Sequence, residues 1–184
     1  MKDTKIKEIM IPLSDYATVS EQETLATAIK VLKQSQKDTK YTYKHRSVLV
    51  YDKDKHVIGK VSLFDILKAL EPKYRHFEHT QNAGGIGLSR FGIDAEYLKS
   101  FVDEFNLWDE TLDELVKKAS KQPVKGIMYS PSENEYVDID TPVAEALHQF
   151  ILGCHQSLLV RKEDKVVGIL RVTDIFGLIC DVLE

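Results

Sequence analysis

The feature that most constrains this 184-residue chain is an internal repeat, in which one segment occurs twice in the same order. Ile9-Met10 recurs as Ile127-Met128, at an offset of 118 residues. The offset stays at 118 through the first helix, falls to 110 at Ser47 and to 109 at Gly59, at loops, which tolerate changes of length. Further matched pairs are Val19 with Val137, Leu25 with Val143, Ser47 with Ser157, Gly59 with Gly168, and Asp65 with Asp174. A repeat of about 60 residues is too long for a solenoid unit and indicates a pseudo-symmetric pair with a cleft between its halves.

Each repeat is predicted to form a strand, a helix, two strands and a second helix, which makes the fold class α/β. In the first repeat, residues 6–11 form the opening strand, and Ser20 with Glu23 predicts a capping box at the first helix. The segments 47–51 and 57–61 predict a hairpin, and the second helix is expected to end before Pro72. The apolar face of the first helix consists of Leu25, Ala28, Ile29 and Leu32, and that of the second of Leu63, Ile66, Leu67 and Leu70.

The second repeat follows the same pattern. Asp140 or Thr141 is predicted to cap its first helix, with Pro142 in the first turn, where a missing amide hydrogen has no cost. Its hairpin is predicted at 158–160 and 166–170, and its closing helix at 175–183.

Between the repeats lies an insert with two predicted helices. Asp94 is expected to cap the first, and the second lies around Leu112 and ends before Pro123. The apolar side of the first helix carries Tyr97, Leu98, Phe101, Val102 and Phe105, which must pack either against the repeats or against a second chain. The predicted domains are therefore 1–70 for the first repeat, 71–122 for the insert and 123–184 for the second repeat.

The composition excludes some classes of partner and site. A formal net charge of -4, from 25 basic and 29 acidic residues, gives no basic field for nucleic acid. No apolar segment has the length of a signal peptide or a membrane span, so a cytoplasmic protein with no membrane partner is expected. Cys154 and Cys180 are predicted to be buried free thiols. No metal site is predicted, since His76 and His79 have no third ligand nearby.

The segment from Gly59 to Asp65 joins a strand to a helix and allows two interpretations. Ser62 and Asp65 have capping-box spacing, yet both could equally bind a ligand. In the second repeat Arg171 replaces Ser62 while Asp174 is retained. Because arginine cannot cap, capping accounts for Asp174 less well, unless Thr173 acts as a shifted cap.

The order of these marks in both repeats resembles a tandem cystathionine-β-synthase (CBS) domain pair, also called a Bateman module. The resemblance covers residues 5–70 and 123–184 and leaves the insert outside. It implies two three-stranded sheets packed through their strands, with helices outside and two clefts that hold AMP, ADP, ATP or another adenosyl ligand. It also implies that the Asp binds ribose hydroxyls, that the Ser or Thr lies near ribose or phosphate, and that basic residues opening the second strand meet phosphate.

His45-Arg46 opens that second strand and resembles the His-Arg pair of energy-sensing members of the family. A guanidinium suits phosphate because its planar donors form two charge-assisted bonds, although Arg46 could merely solvate a strand end. The second repeat has His155-Gln156 there, so the clefts are expected to be unequal, with the Asp65 cleft the better nucleotide site. The predicted nucleotide-binding residues are Val19, His45, Arg46, Ser62, Asp65, His155, Arg171 and Asp174.

The resulting functional hypothesis is a stand-alone regulatory module. An adenine nucleotide would bind between the repeats and change contact with an unknown protein partner, no other cofactor would be required, and a homodimer is expected. The alternative is a scaffold or dimerisation module whose clefts stay empty. A nucleotide-processing enzyme is disfavoured because the sequence offers no evident base, nucleophile or metal site.

Overall fold

The structure is a computed structural model that describes residues 4–37, 39–74, 95–107 and 109–183. The predicted cap Asp94 and the pair His76 and His79 lie outside these ranges, and the side chains of Tyr97, Leu98 and Phe101 are also outside the description. The strands are β1 (Ile11–Pro12), β2 (Thr18–Ser20), β3 (Ser47–Tyr51), β4 (Val57–Ser62), β5 (Tyr136–Asp138), β6 (Ser157–Lys162) and β7 (Lys165–Arg171). The helices are α1 (Leu25–Ser35), α2 (Leu63–Leu70), α3 (Ala95–Glu104), α4 (Leu112–Ala119), α5 (Val143–Gly153) and α6 (Val172–Leu183).

Two sheets confirm the predicted α/β class and the repeat. The first has the order β2-β3-β4, with β2 parallel to β3 and β3 antiparallel to β4. The second has the order β1-β7-β6-β5, so it contains four strands rather than the three that the resemblance implies. Both hairpins lie where the paired apolar segments predicted them.

The fourth strand comes from the start of the chain. The prediction of a strand over residues 6–11 is wrong for its first part, because Ile6–Glu8 is a 3₁₀ helix and only Ile11–Pro12 pairs, antiparallel to β7. Ile6 is fully buried in the core of the second repeat. Each repeat therefore packs against the opening segment of the other, since Val124 lies in the first core and Tyr129 bridges Lys60 of β4.

The recurring glycines mark the two places where these opening segments approach a sheet. A Cβ on Gly168 would lie 2.5 Å from the carbonyl oxygen of Ile11, and one on Gly59 would lie 2.8 Å from that of Tyr129. Only glycine leaves room for such contact between backbones.

Helix starts differ from the predicted caps in both repeats. Ser20 lies in β2, paired with Tyr51, so it does not cap α1; Thr24 does, accepting from the amide of Thr27 at 3.4 Å. The N-cap of α5 is Pro142, which has no side-chain cap bond, so neither Asp140 nor Thr141 caps this helix. Asp140 instead accepts a hydrogen bond from Lys7 at 2.8 Å.

Three apolar clusters hold the molecule together. One lies inside each repeat, and the predicted face of α1 is confirmed, because Leu25, Ala28 and Leu32 are buried in the first. The third joins the two sheets and contains Ile11, Tyr16, Leu49, Leu159 and Ile169. Burial of this set fixes the repeats against each other, so the clefts at its edges have defined walls.

The remaining elements lie at the surface or beside the first repeat. Helix α4 packs against the first core through Leu115 and Ala119, after a capping box between Thr111 and Glu114. Both cysteines are free, but Cys154 is exposed rather than buried and Cys180 is half-buried. In the described part of the chain, every helix is too short or too polar to cross a membrane.

Candidate ligand-binding clefts

The first cleft lies where β4 runs into α2. A cavity of about 260 Å³ is lined there by Asp65, Lys68 and Ala69 of the first repeat and by residues 126–129, which open the second. Its walls therefore come from both repeats. A ligand in this cavity would bridge them.

Asp65, which lines this cavity, forms a capping box with Ser62. The carboxylate Oδ2 accepts from the backbone amide of Ser62 at 2.8 Å and from its hydroxyl at 2.6 Å, and the Asp65 amide donates back to that hydroxyl oxygen at 3.2 Å. Oδ1 of Asp65 has no hydrogen-bond partner among the residues that the structure describes. One carboxylate oxygen thus serves the helix while the other can accept a ligand hydroxyl.

Behind this capping box lies a polar cluster that sequence reasoning missed. The ammonium of Lys60 lies 3.3 Å from Glu135 Oε2 and donates to Ser157 Oγ at 3.3 Å. The hydroxyl of Tyr129 donates to Glu135 Oε1, and Nδ1 of His155 lies 3.9 Å from Oε2. The position of Lys60 corresponds to Ile169 in the second repeat, so the substitution of a buried apolar position by lysine was a signal available in the sequence.

Electrostatics in this cluster favour a charged Glu135 beside a neutral Tyr129. Burial acts to raise the pKa of Glu135, but hydrogen bonds from Tyr129 and from the Ser132 amide, together with the charge of Lys60, lower it overall. Burial, followed by the hydrogen bond to Glu135, raises the pKa of Tyr129 to about 12. The cluster therefore places the neutral phenol of Tyr129, which lines the cavity, beside an ionised carboxylate at neutral pH.

The second cleft, where β7 runs into α6, is chemically different. Asp174 Oδ2 accepts from the backbone amide of Arg171 at 2.8 Å and from its Nε at 2.9 Å. Oδ1 accepts from Nε at 3.1 Å and from Nη2. The two side chains are only 8% and 9% exposed, so both carboxylate oxygens are used inside the protein.

The rest of the Arg171 guanidinium faces the segment before β3. Nη1 donates to the carbonyl oxygen of Tyr43 at 2.9 Å and lies 3.2 Å from Nδ1 of His45. His45 is buried, with the ring of Tyr16 centred 4.3 Å away. The phenol of Tyr16 shares a 2.9 Å hydrogen bond with Ser47.

The structure groups the predicted residues differently from the sequence prediction. His45 lies with Arg171 and Asp174 rather than with Asp65, whereas His155 lies in the polar cluster of the first cleft. His45 of the first repeat thus lies beside the arginine that pairs with Asp174, and His155 of the second lies beside Glu135.

Two predicted residues stand apart from both groups. Arg46 is exposed, and its backbone carbonyl accepts from the Leu63 amide at 3.0 Å. The side chain of Val19 is buried in the core of the first repeat.

A possible cation site lies away from the clefts, in the turn of the first hairpin. Asp52, Asp54 and His56 bring their ligand atoms together there. However, Asp52 Oδ1 accepts from the amides of Asp54 and His56 at 2.9 Å each, which accounts for its position by turn formation.

Comparison with known proteins agrees with this geometry. The CBS domain profile matches residues 6–72 and 116–181, whereas no curated protein matches the chain. The fold is similar to that of CBSX2 in complex with AMP, with a TM-score of 0.60 at 15% identity over 98% of both chains. A CBS domain-containing protein of unknown function from Bacillus anthracis gives a TM-score of 0.62 at 17% identity, with 98% of this chain and 95% of that one covered.

A third similar structure is a putative acetoin utilization protein (AcuB) from Vibrio cholerae, with a TM-score of 0.60 at 17% identity over 98% of this chain and 93% of that one. At these identities the structures establish the fold, while the profile, which matches well over half of the chain, establishes the family. The two matched ranges correspond to the two repeats. The chain therefore belongs to the CBS domain family and carries a CBS pair, a regulatory and ligand-sensing type of module.

Proposed function

We propose that this CBS pair is a regulatory module that binds an adenine nucleotide, of the AMP, ADP or ATP class, in the cleft beside Asp65. The ligand changes how the two repeats sit against each other, and that change is passed to a protein partner. The protein binds the nucleotide without converting it chemically.

The observation that carries this proposal is the open carboxylate of Asp65 in a cavity shared by both repeats. Oδ2 is held by Ser62, which orients Oδ1 toward a ligand hydroxyl. Ribose presents two adjacent hydroxyls of the kind that a carboxylate binds by charge-assisted hydrogen bonds. Lys68, in the same cavity wall, supplies a cation for phosphate.

The size of the cavity indicates how such a ligand would lie. Its volume of about 260 Å³ is slightly below the ~300 Å³ at which small-molecule pockets begin. A nucleoside would fill it, so the phosphates would lie toward solvent. The AMP bound to CBSX2, a protein of similar fold, supports a ligand of this class.

Regulation follows from the walls of the cavity. Because residues 126–129 belong to the opening segment of the second repeat, a ligand that contacts them and Asp65 binds one arrangement of the repeats best. A ligand shifts such an equilibrium only by the difference between its affinities for the two arrangements.

The test is isothermal calorimetry with AMP, ADP and ATP on the wild type and on a matched pair of isosteric variants, Asp65→Asn and Asp174→Asn. Loss of one charge-assisted bond should weaken binding by about 10- to 100-fold in Asp65→Asn. Asp174→Asn, with folding checked by circular dichroism, should bind nearly as the wild type does. Equal losses would place the ligand elsewhere, and hydrolysis of ATP would point to an enzyme.

Absence of binding by all three nucleotides would favour the alternative, a dimerisation module with empty clefts. One observation supports it: α2 and α6 expose large apolar side chains, among them Phe64 at 65%, Phe176 at 54% and Val182 at 67%. Contiguous exposed apolar surface marks interaction sites. Light scattering should show a dimer that Phe64→Asp converts to a monomer, while Leu152→Asp, exposed on α5, leaves the mass unchanged.

A further inference from the structure

We infer that the second cleft is closed by the chain itself, so that the protein binds one ligand per chain rather than two. The closing segment is residues 39–46, named here the tyrosine loop, which is held in place by Arg171. The identity of the ligand rests on the proposed function. The closed cleft does not.

The first ground is that Asp174 has already been satisfied internally. Its two oxygens accept three guanidinium contacts and one backbone amide, all from Arg171. A ribose hydroxyl could reach this carboxylate only by displacing a buried ion pair, which leaves a buried charge unpaired. At the equivalent place in the first repeat, Ser62 leaves Oδ1 of Asp65 open.

The second ground is that the same guanidinium holds the tyrosine loop. Its Nη1 donates to the Tyr43 carbonyl at 2.9 Å and lies 3.2 Å from His45 Nδ1. Further along, the Tyr43 ring packs against Phe176 of α6 with centroids 6.1 Å apart. The Tyr41 hydroxyl donates to Asp15 at 2.9 Å, which gives the loop an additional anchor that does not involve Arg171.

The third ground is the length of the loop, which explains the change of repeat offset. Eleven residues join α1 to β3 in the first repeat, whereas three join α5 to β6 in the second. The longer connection reaches Arg171 of the other repeat, the residue that pairs with Asp174. The shorter one cannot fill the first cleft in the same way, which leaves that cleft open.

The decisive variant is Arg171→Ser, which gives the second repeat the residue that the first has at this position. Limited trypsin digestion, without any ligand, reports on the loop through cleavage after Lys44 and Arg46. Loss of the charge-assisted bonds to the loop should speed this cleavage by about tenfold or more. Arg161→Ser, an exposed arginine of the same repeat that pairs with Glu133, is the control and should leave the rate unchanged.

Calorimetry with AMP provides the second measurement. The wild type should bind one AMP per chain and Arg171→Ser two. Two AMP per chain in the wild type, or equal tryptic rates in the wild type and Arg171→Ser, would overturn the inference. If the wild type binds no AMP but the tryptic difference is present, the proposed function fails while the closed cleft stands.

A variant that does not fold would hide these outcomes, so Arg171→Lys accompanies Arg171→Ser. Lysine keeps the charge beside Asp174 but lacks the second donor arm that reaches Tyr43. Loop cleavage should again be faster than in the wild type, and an unchanged rate in folded Arg171→Lys would count against the role of the guanidinium.

Discussion

The two clefts have nearly the same backbone and opposite chemistry. In both, an aspartate in the first turn of a helix accepts from the backbone amide three residues earlier at 2.8 Å. The side chain at that earlier position differs, being Ser62 in one repeat and Arg171 in the other. Serine leaves a carboxylate oxygen open, whereas arginine occupies both oxygens. One residue therefore decides whether the aspartate at this position keeps an open carboxylate oxygen or forms an internal ion pair.

The residues that pack behind the two clefts also differ, being polar at the first cleft and apolar at the second. Lys60, Tyr129 and Glu135 in the first correspond to Ile169, Ile11 and Ala17 in the second. The polar set lies beside the open cavity, while Ile169 and Ile11 are buried between the sheets. One edge of the interface between the repeats is thus built for polar contact, and the other for stability.

The largest effect expected from this difference is on stability. Asp174→Ala should lower the free energy of unfolding by about 3–5 kcal/mol, because it leaves the buried guanidinium of Arg171 without its carboxylate. Asp65→Ala removes the N3 side chain of the capping box of α2, leaves the N-cap Ser62 in place, and should cost about 1 kcal/mol. Urea denaturation measures both. The double variant Arg171→Met with Asp174→Leu should recover most of the loss, and similar losses for the two single variants would contradict the comparison.

A smaller effect is expected where the opening segments cross. Gly168→Ala should cost about 1–3 kcal/mol, because the added methyl would meet the backbone of Ile11. Gly59→Ala should cost less within that range, since the added carbon would lie 2.8 Å from the carbonyl oxygen of Tyr129, compared with 2.5 Å from that of Ile11 for Gly168. Gly126→Ala, where a Cβ would meet nothing within 4 Å, is the control for thermal unfolding. If Gly168→Ala left the melting temperature unchanged, the backbones of β1 and β7 would not be in close contact at this position.

The first helix of each repeat, α1 or α5, provides a further comparison, in which the expected change in the free energy of unfolding is about 1 kcal/mol. Thr24→Ala should destabilise by that amount because the amide of Thr27 loses its acceptor, whereas Thr24→Ser should retain it. Pro142 has no side-chain cap bond, so Pro142→Ala should not lose stability by this route. Melting temperatures of the three variants decide the matter, and equal shifts for Thr24→Ala and Thr24→Ser would argue against capping.

The smallest expected effect is on the pH dependence of the polar cluster. The pKa of Glu135 is lowered below its ordinary value of 4.5, so its ionised form stabilises the folded state. This contribution is complete above 4.5 and is lost as the pH falls through the lower pKa of the folded state. Glu135→Gln should therefore lose less stability on acidification than the wild type.

The comparison requires urea denaturation at neutral pH and again at about pH 4 and below. Glu133→Gln, with a side chain that is 80% exposed, serves as the control and should behave as the wild type does. An identical acid response in Glu135→Gln would show that the cluster does not stabilise the fold through this carboxylate.

The sequence predicted those features that depend on neighbours a few residues apart. The hairpins and the Ser62–Asp65 capping box follow from residue types a few positions apart, and the structure has them where expected. The apolar face predicted for α2 is only partly right, because Ile66 and Leu70 pack in the first core whereas Leu63 and Leu67 are 45% and 56% exposed. The misplaced caps at Ser20 and Asp140 show the limit of this reasoning. Residue 20 pairs within a sheet, and pairing with a distant strand overrides a local capping pattern.

The sequence by itself thus determined a pseudo-symmetric pair with two unequal clefts, because the repeat and the exchange of Ser62 for Arg171 can be read directly. Only the tertiary structure decided which residues share a cleft. His45 and Arg171 are 126 residues apart, and β1 pairs with a strand near the end of the chain. Such partners are chosen by burial of the apolar set between the two sheets, a property of the assembled molecule that no local pattern contains.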